Sequence, residues 1–259
     1  MSEELELKYG FVIPVYNHGA ALESVVKNLL PYDKPIIVVD DGNDEKNKAY
    51  IAGVSQKYSE VTLVTRTKNG GKGKAMKDGV RKANEMGLTH IFQIDSDGQH
   101  DAARVGAFLE KSEENPDAVI CGYPEYDKSA PKKRVNGRKF ANGWIHCVTL
   151  SKEIVDAMIG FRIYPVAPYM KIINSSAVID DRMGYDIDIL VHLFWAGVRV
   201  ISQPVKVFYP EDGISNFRYV RDTLRISGTY ARLFLGMLVR WPWILSCKKH
   251  RSVAGQSVR

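Results

Sequence analysis

Asp95-Ser96-Asp97-Gly98-Gln99 follows directly on an apolar stretch, His-Ile-Phe-Gln-Ile. Two carboxylates two residues apart repel each other, and no cation neighbours them in sequence. A hard divalent cation that also touches phosphate oxygens would satisfy both, and Mg2+ or Mn2+ suits such oxygen ligands. A solvated acidic turn is the competing reading, since D-x-D is a common spacing. A second acidic pair, Asp40-Asp41-Gly42, ends the apolar run Pro-Ile-Ile-Val-Val. A carboxylate there can accept a hydrogen bond from a base N–H or a ribose hydroxyl, and an Asx turn closing a strand could use one of the two instead. Asn69-Gly70-Gly71-Lys72-Gly73-Lys74 lacks the Gly-Lys-Ser/Thr ending of a P-loop. Its glycines still let backbone approach a ligand, and a helix start with Lys72 and Lys74 favours phosphate.

Farther along the chain the candidates thin out. Arg162 could hold a phosphate, or be a surface arginine at a strand start. Asp186 and Asp188 open an apolar helix, where the macrodipole favours acids. Of the two, Asp188 is the expected base, because Ile187 and Ile189 would desolvate it. Lys132, Lys133, Arg134 and Arg138 form a basic segment that either is solvated or closes over a phosphate. Residues 211–218 could form a second lid, with Gly213 free to take unusual dihedrals. The six histidines show no metal spacing.

These residues need a scaffold. Apolar β-rich runs at 10–16, 35–40, 61–65, 90–95 and 118–122 alternate with helical patterns at 20–30, 45–58, 72–86 and 101–114. Strands alternating with helices imply βαβ units and a mostly parallel sheet. Ligands of such sheets bind beyond the carboxyl ends of the strands, which is where both acidic pairs fall. After residue 123 the rhythm breaks. A basic loop is expected over 124–138, helices over 139–150 and 186–196, and strands over 161–166 and 198–208.

The 259 residues carry 45% hydrophobic and 25% charged side chains, which excludes disorder, collagen and coiled coil for the whole. Three scattered cysteines make neither a disulfide framework nor a zinc site and suggest a reducing compartment. The acidic amino terminus has no signal-peptide pattern, and no apolar run approaches a spanning length. The net charge of +6 is unevenly spread: residues 217–259 carry +8 and residues 1–216 carry −2. Arg218, Arg221, Arg225, Arg232 and Arg240 fall within about 100° on a helical projection, and the other faces are apolar. Trp241, Trp243, Lys248 and Lys249 follow. Two readings stand: a terminal helix packed on the core with solvated arginines, or an interfacial helix with Trp and Arg at headgroup level.

Taken together, Val12-Ile13-Pro14-Val15-Tyr16-Asn17, Val39-Asp40-Asp41-Gly42, Asn69 with Gly71 and Lys72, and Asp95-Ser96-Asp97-Gly98-Gln99 occur in an order that resembles family 2 glycosyltransferases. The Asp-x-Asp-x-Gln element is most similar to the dolichyl-phosphate-mannose-synthase-like branch, and the resemblance covers about residues 8–215. It implies the α/β GT-A fold, a Rossmann-like, mostly parallel sheet flanked by helices. Residues 1–216 would form that domain, with a nucleotide-sugar half at 8–123 and an acceptor half at 124–216. Residues 217–259 would be a basic amphipathic addition. By the resemblance Pro14, Tyr16, Asn17 and Asp40 or Asp41 hold the nucleoside, with Asn69, Lys72 and Ser96 also on the nucleotide sugar. Asp95 takes the ribose or the metal, and Asp97 and Gln99 the Mg2+ or Mn2+. Asp156-Ala157-Met158-Ile159-Gly160-Phe161-Arg162 is similar to the family's Asp-x-x-x-Gly-Phe-Arg segment near the acceptor, and the segment around Asp186 to its acidic segment there.

The implied reaction is inverting transfer from a nucleoside-diphosphate sugar to a lipid-linked acceptor, either a polyprenyl phosphate or a hydroxyl. The protein would work peripherally on the cytoplasmic membrane face. The Gln-x-x-Arg-Trp motif of processive synthases is absent, although Arg240-Trp241 occurs without its glutamine, so single-sugar transfer is expected. A nucleotidyltransferase would want a Gly- and Arg-rich loop where Pro14 to Gly19 stand. A non-catalytic binder of anionic lipid or nucleic acid would suit the tail, but carboxylates at three sheet edges would repel a polyanion, so no nucleic-acid partner is expected.

Overall fold

The computed structural model describes residues 6–99, 101–125, 132–206 and 219–256. Its first half repeats one unit. Strands β1 (Tyr9–Val15), β2 (Ile36–Asp40), β3 (Val61–Thr65) and β4 (His90–Gln93) are linked by helices α1 (Gly19–Leu29), α2 (Glu45–Lys57) and α3 (Lys72–Glu85). Then come α4 (Val105–Glu113), β5 (Val119–Glu125), α5 (Lys132–Thr149), β6 (Arg162–Pro165) and α6 (Val166–Ile173). The order closes with α7 (Tyr185–Trp195), β7 (Val200–Lys206) and α8 (Tyr219–Gln256). The seven strands form one sheet in the order β3-β2-β1-β4-β6-β5-β7. β2 and β4 are buried at every residue, as strands covered on both faces must be. Phe92 of β4 packs against Phe11, Phe108 and Phe161, tying α4 and the segment before β6 to the middle of the sheet.

Two features of this sheet create a site. The first is that strand order reverses at β1, which pairs with β2 on one side and β4 on the other. The β1–β4 ladder stops at Val12↔Gln93, whereas β1–β2 continues to Val15↔Asp40. A crevice therefore opens between β1 and β4 at their carboxyl ends, the usual ligand position in such sheets. Val12 faces β4, since its carbonyl accepts from Ile94 N. Pro14 has the same parity, so its missing N–H falls past the last pair, where no ladder bond is lost. The second feature is that β6 alone runs antiparallel to its neighbours. Its amino end thus lies beside the carboxyl end of β4, pairing Arg162 with Gln93, and the 156–161 segment reaches the crevice.

Some expectations change. The basic segment over 132–138 is the start of α5, not a loop. α6 was not anticipated; its Pro168 sits in the first turn, where an N–H has no intrahelical partner. The helix over 101–114 divides into a 3-10 turn, Ala102–Arg104, and α4. Residues 211–218 lie outside the described residues.

α8 packs on α5 and α7, burying Tyr230, Leu233, Met237 and Ile244. Its arginine arc is neither wholly solvated nor turned outward. Arg225 approaches Asp180 at 3.6 Å, Arg232 pairs with Asp188, and Arg240 lies over the Trp195 ring. The acids that draw these arginines inward sit just before and within the first turn of α7.

Candidate active site

The ends of β1 and β2 are knotted by one amide. Asn43 donates from its side chain to Val15 O (2.8 Å) and to Asp40 Oδ1 (2.7 Å), and its Oδ1 accepts from Asn17 N at 2.7 Å. Asn17 takes a left-handed conformation there (φ 63°), which asparagine tolerates better than most residues. Asp41 gathers the next loop: its carboxylate accepts from Gly70 N, Gly71 N and Asn69 Nδ2 at 2.8–3.0 Å and from Arg66 Nε at 2.9 Å. Gly42, at φ 68°, lets the two loops touch, since a Cβ there would meet the Lys68 backbone at 2.3 Å. The acidic pair is buried and bonded within the protein, and it shapes the crevice wall.

The helix start after this loop is also occupied. Gly73 N and Lys74 N donate to Asp181 O, and the Lys74 and Lys77 ammoniums approach the Asp181 carboxylate at 3.5 and 2.9 Å. The expected phosphate-cradling amides are thus held by the loop before α7. Lys72 points the other way, into the crevice. Its ammonium lies 2.8 Å from Asp95 Oδ1 and 2.7 Å from Asp186 Oδ2. Burial alone would lower its pKa, but the Asp186 and Asp95 carboxylates outweigh that and raise it, so Lys72 is a cation.

Asp186 is the most constrained acid of the cluster. Lys72 holds one carboxylate oxygen, Gln93 Nε2 donates to the other at 2.8 Å, and the Asp186 carbonyl accepts from Arg162 Nη1 at 2.6 Å. Gln93, Arg162 and Cys121 stand side by side on β4, β6 and β5. Burial pushes the Cys121 thiol up to about 11 and the Tyr164 phenol up to about 12, so both are neutral beside the guanidinium. Among described residues Gln93 Oε1 and Arg162 Nε and Nη2 are buried without a protein partner. Asp95 enters from β4 over Gly160, whose place could hold no Cβ: it would meet the Asp95 carboxylate at 2.3 Å. Asp97 accepts from Gln99 N at 3.0 Å, so the Asp97–Gln99 turn is preformed and half-buried at the mouth.

No three or more His, Cys, Asp or Glu side chains among the described residues form a ready metal cage. Asp95, Asp97 and Gln99 would offer a hard cation oxygen donors only, the chemistry that phosphate oxygens would complete.

Several expected site residues lie elsewhere. Asp188 does not join the cluster. Two helical residues differ by about 200°, so Asp186 faces the sheet edge while Asp188 faces α8. Asp188 is fully buried, accepts from Asp180 N and pairs with Arg232. Arg162 is wholly buried under Asp186 and offers nothing to an acceptor phosphate at the surface. Arg138 pairs with the buried Asp156 at 3.0 Å, bracing the 156–161 turn. Arg134 falls on the first turn of α5, and its side chain lies outside the described residues. Gln93, Asn43 and Asp181 were not anticipated, and Gly160 was expected only as part of the Asp156–Arg162 segment. Gln93 did carry a signal: an amide inside an apolar strand needs a buried partner.

A crevice at the reversal point of a mostly parallel sheet, rimmed by carboxylates and one lysine, is the plan of GT-A glycosyltransferases. The Glycosyl transferase family 2 profile matches residues 11–179, and the chain belongs to that family. An uncharacterized protein of Methanocaldococcus jannaschii is 28% identical over 213 residues, 79% of this chain and 90% of that one. A dolichyl-phosphate beta-glucosyltransferase of Trichomonas vaginalis is 25% identical over 217 residues, 75% of this chain and 64% of that one. In three dimensions the chain is similar to mannosyl-3-phosphoglycerate synthase of Rubrobacter xylanophilus, with a TM-score of 0.64, 16% identity, and 92% and 76% of the two chains covered. It is also similar to a Pyrobaculum calidifontis mannosyltransferase in complex with GDP-Man and Mn2+, with a TM-score of 0.56, 15% identity, and 95% and 75% covered. At these identities the structural likeness establishes the fold.

Proposed function

We propose that this family 2 glycosyltransferase moves one sugar, with inversion, from a nucleoside-diphosphate sugar to a lipid-linked acceptor at the cytoplasmic membrane face. The observation that carries the reading is the Asp186 carboxylate, fixed by Gln93 and Lys72 in the β1–β4 crevice beside Asp95. The nucleoside would lie along Pro14, Tyr16 and Asn17, over the wall that Asp40, Asp41 and Asn69 build, with Ser96 nearby in sequence. Asp97, Gln99 and Asp95 would hold a Mg2+ or Mn2+ together with the diphosphate. When bound, that ion supplies positive charge to the leaving diphosphate.

The protein's own groups do the rest. The bond from the anomeric carbon to the β-phosphate oxygen breaks as the acceptor oxygen bonds to that carbon from the opposite face. A hydroxyl acceptor gives its proton to Asp186, which takes the role first expected of Asp188. Lys72 is the buried cation next to the departing negative charge. The positioned base favours a lipid hydroxyl. The Trichomonas relative's name favours a polyprenyl phosphate, which is already anionic and needs no base. Arg162 would then act beneath Asp186, orienting it through the carbonyl, instead of holding the phosphate.

The test is transfer from labelled UDP-, GDP- and dTDP-sugars to detergent-dispersed lipid acceptors of both kinds, with anomeric configuration read by NMR. With a hydroxyl acceptor, Asp186→Asn should lower kcat by ~10²–10⁴-fold. Asp188→Asn should lower thermal stability and leave the pH profile of kcat in place. Full activity of Asp186→Asn on a hydroxyl acceptor would remove Asp186 as the base. Release of pyrophosphate instead of nucleoside diphosphate would identify a nucleotidyltransferase.

A further inference from the structure

Arg225, Arg232 and Arg240 of α8 are engaged with the protein, so the surface they were expected to present to a membrane is not the one that faces outward. Placed at 100° per residue, Val220, Leu224, Leu235, Leu238 and Leu245 fall within about 80° of one another. All five are large, apolar and exposed, from 44% at Leu245 to 70% at Val220. The face roughly opposite holds Leu233, Met237 and Ile244 and is buried. α8 therefore has two apolar faces, and only one has protein against it.

The outward stripe does not stand alone. Trp144 of α5 packs edge-on against Phe234, with ring centroids 6.2 Å apart, and Phe140 lies one turn earlier on the same helix at 72% exposure. At the other end Trp241 and Trp243 are more than half exposed, and the Trp243 indole N–H is held by Trp195 O at 3.0 Å. Of the fifteen large apolar side chains that are exposed among the described residues, ten lie on α5 and α8. Contiguous exposed apolar surface on this scale marks an interaction site.

We propose that this two-helix face lies flat on a lipid bilayer whose surface is anionic, with the Val220–Leu245 stripe in the acyl boundary. The proposal names the docking surface for the lipid-linked acceptor and rests on that reading of the function. Charge selects this occupant over a second copy of the chain. In sequence the stripe is followed by Lys248, Lys249 and Arg251, and residues 217–259 carry +8, of which only Arg225 and Arg232 are paired with acids of α7 and the loop before it among the described residues. Two such faces brought together would oppose their own charge, whereas an anionic headgroup layer complements it. From Val220 to Leu245 the stripe spans ~38 Å, enough to lie along a membrane. No helix among the described residues is long and apolar enough to cross one. Arg232 and Asp188 join the docked helix to α7, the helix whose other side carries Asp186.

The test uses the full-length protein in flotation with phosphatidylcholine vesicles and with vesicles rich in phosphatidylglycerol. Oligomeric state is followed by light scattering, and nucleotide-sugar binding is measured without vesicles. The protein should float with the anionic vesicles, and its tryptophan emission should shift to the blue. The double variant Leu235→Glu/Leu238→Glu should lose at least tenfold in vesicle affinity while its nucleotide-sugar binding is unchanged. Lys248→Glu/Lys249→Glu should weaken binding to anionic vesicles only. The proposal is overturned if the wild type does not float. It is also overturned if the acidic stripe variant floats as well as the wild type, or if the wild type is a dimer that this variant turns into a monomer. Loss of nucleotide-sugar binding in the wild type, with flotation intact, would count against the glycosyl-transfer reading and not against this surface.

Discussion

Gly160 is where a missing side chain makes room for chemistry. The Asp95 carboxylate occupies the volume a Cβ would fill, so Gly160→Ala must push Asp95 off Lys72 or bend the turn. Because the turn is braced by Arg138 and Asp156, the acid should move first. Metal-dependent binding of nucleotide sugar should weaken by about tenfold or more, roughly 1.4 kcal/mol, with a small change in thermal midpoint. Isothermal titration checks it, and unchanged affinity would show that Asp95 is not needed at that spot. At this scale the sequence was informative about residue types and less so about their use. Asp95, Lys72 and Asp186 stand together, a grouping that their separate motifs did not state. The choice of Asp188 as base rested on its apolar neighbours in sequence, but helical geometry turns Ile187 and Ile189 about 100° to either side of it and sends the acid itself toward α8. The acids Asp40 and Asp41 turn out to accept hydrogen bonds from their own loops, which a one-dimensional reading could not separate from nucleoside contacts.

β4 brings Asp95 and Gln93 to the crevice, and its other end is held by a histidine. His90 is buried, stacks on Tyr9, and shares a hydrogen bond through Nε2 with Pro116 O at 2.8 Å. Burial lowers its pKa below the ordinary 6.5, so the folded state binds fewer protons than the unfolded one just below that pH. Stability contributed by neutral His90 is therefore complete above about pH 6.5 and is lost as pH falls toward the folded pKa. The thermal midpoint should drop between about pH 7 and pH 5, and His90→Gln should flatten that slope. An equal slope in the variant would assign the effect to other groups. The elements themselves were largely readable, because period-2 and period-3.6 patterns are local: β3 spans 61–65 as expected, and β2 and α3 differ by one residue at an end. Strand direction is not local. Nothing within residues 161–166 states that β6 runs antiparallel, yet that reversal is what places Arg162 under Asp186. The basic residues at 132–138 suggested solvent exposure, and exposure is compatible with the first turns of a helix as well as with a loop.

Across the whole molecule, charge is divided by task. The net −2 of residues 1–216 includes the carboxylates gathered at the sheet edge, and the net +8 belongs to residues 217–259, most of which form α8. That division was visible in composition. That Arg225 and Arg232 of α8 turn inward to acids before and within α7 was not, because both partners look solvated when read alone. The central claim is that the carboxylate crevice binds a nucleoside-diphosphate sugar with a divalent ion. Thermal unfolding of the full-length protein with UDP-, GDP- and dTDP-sugars, with and without Mg2+ or Mn2+, tests it beside Asp97→Ala. One nucleotide class should raise the midpoint only with metal, and Asp97→Ala should abolish the rise while unfolding at the same temperature without ligand. No rise with any nucleotide and metal, or an equal rise in Asp97→Ala, would contradict the account.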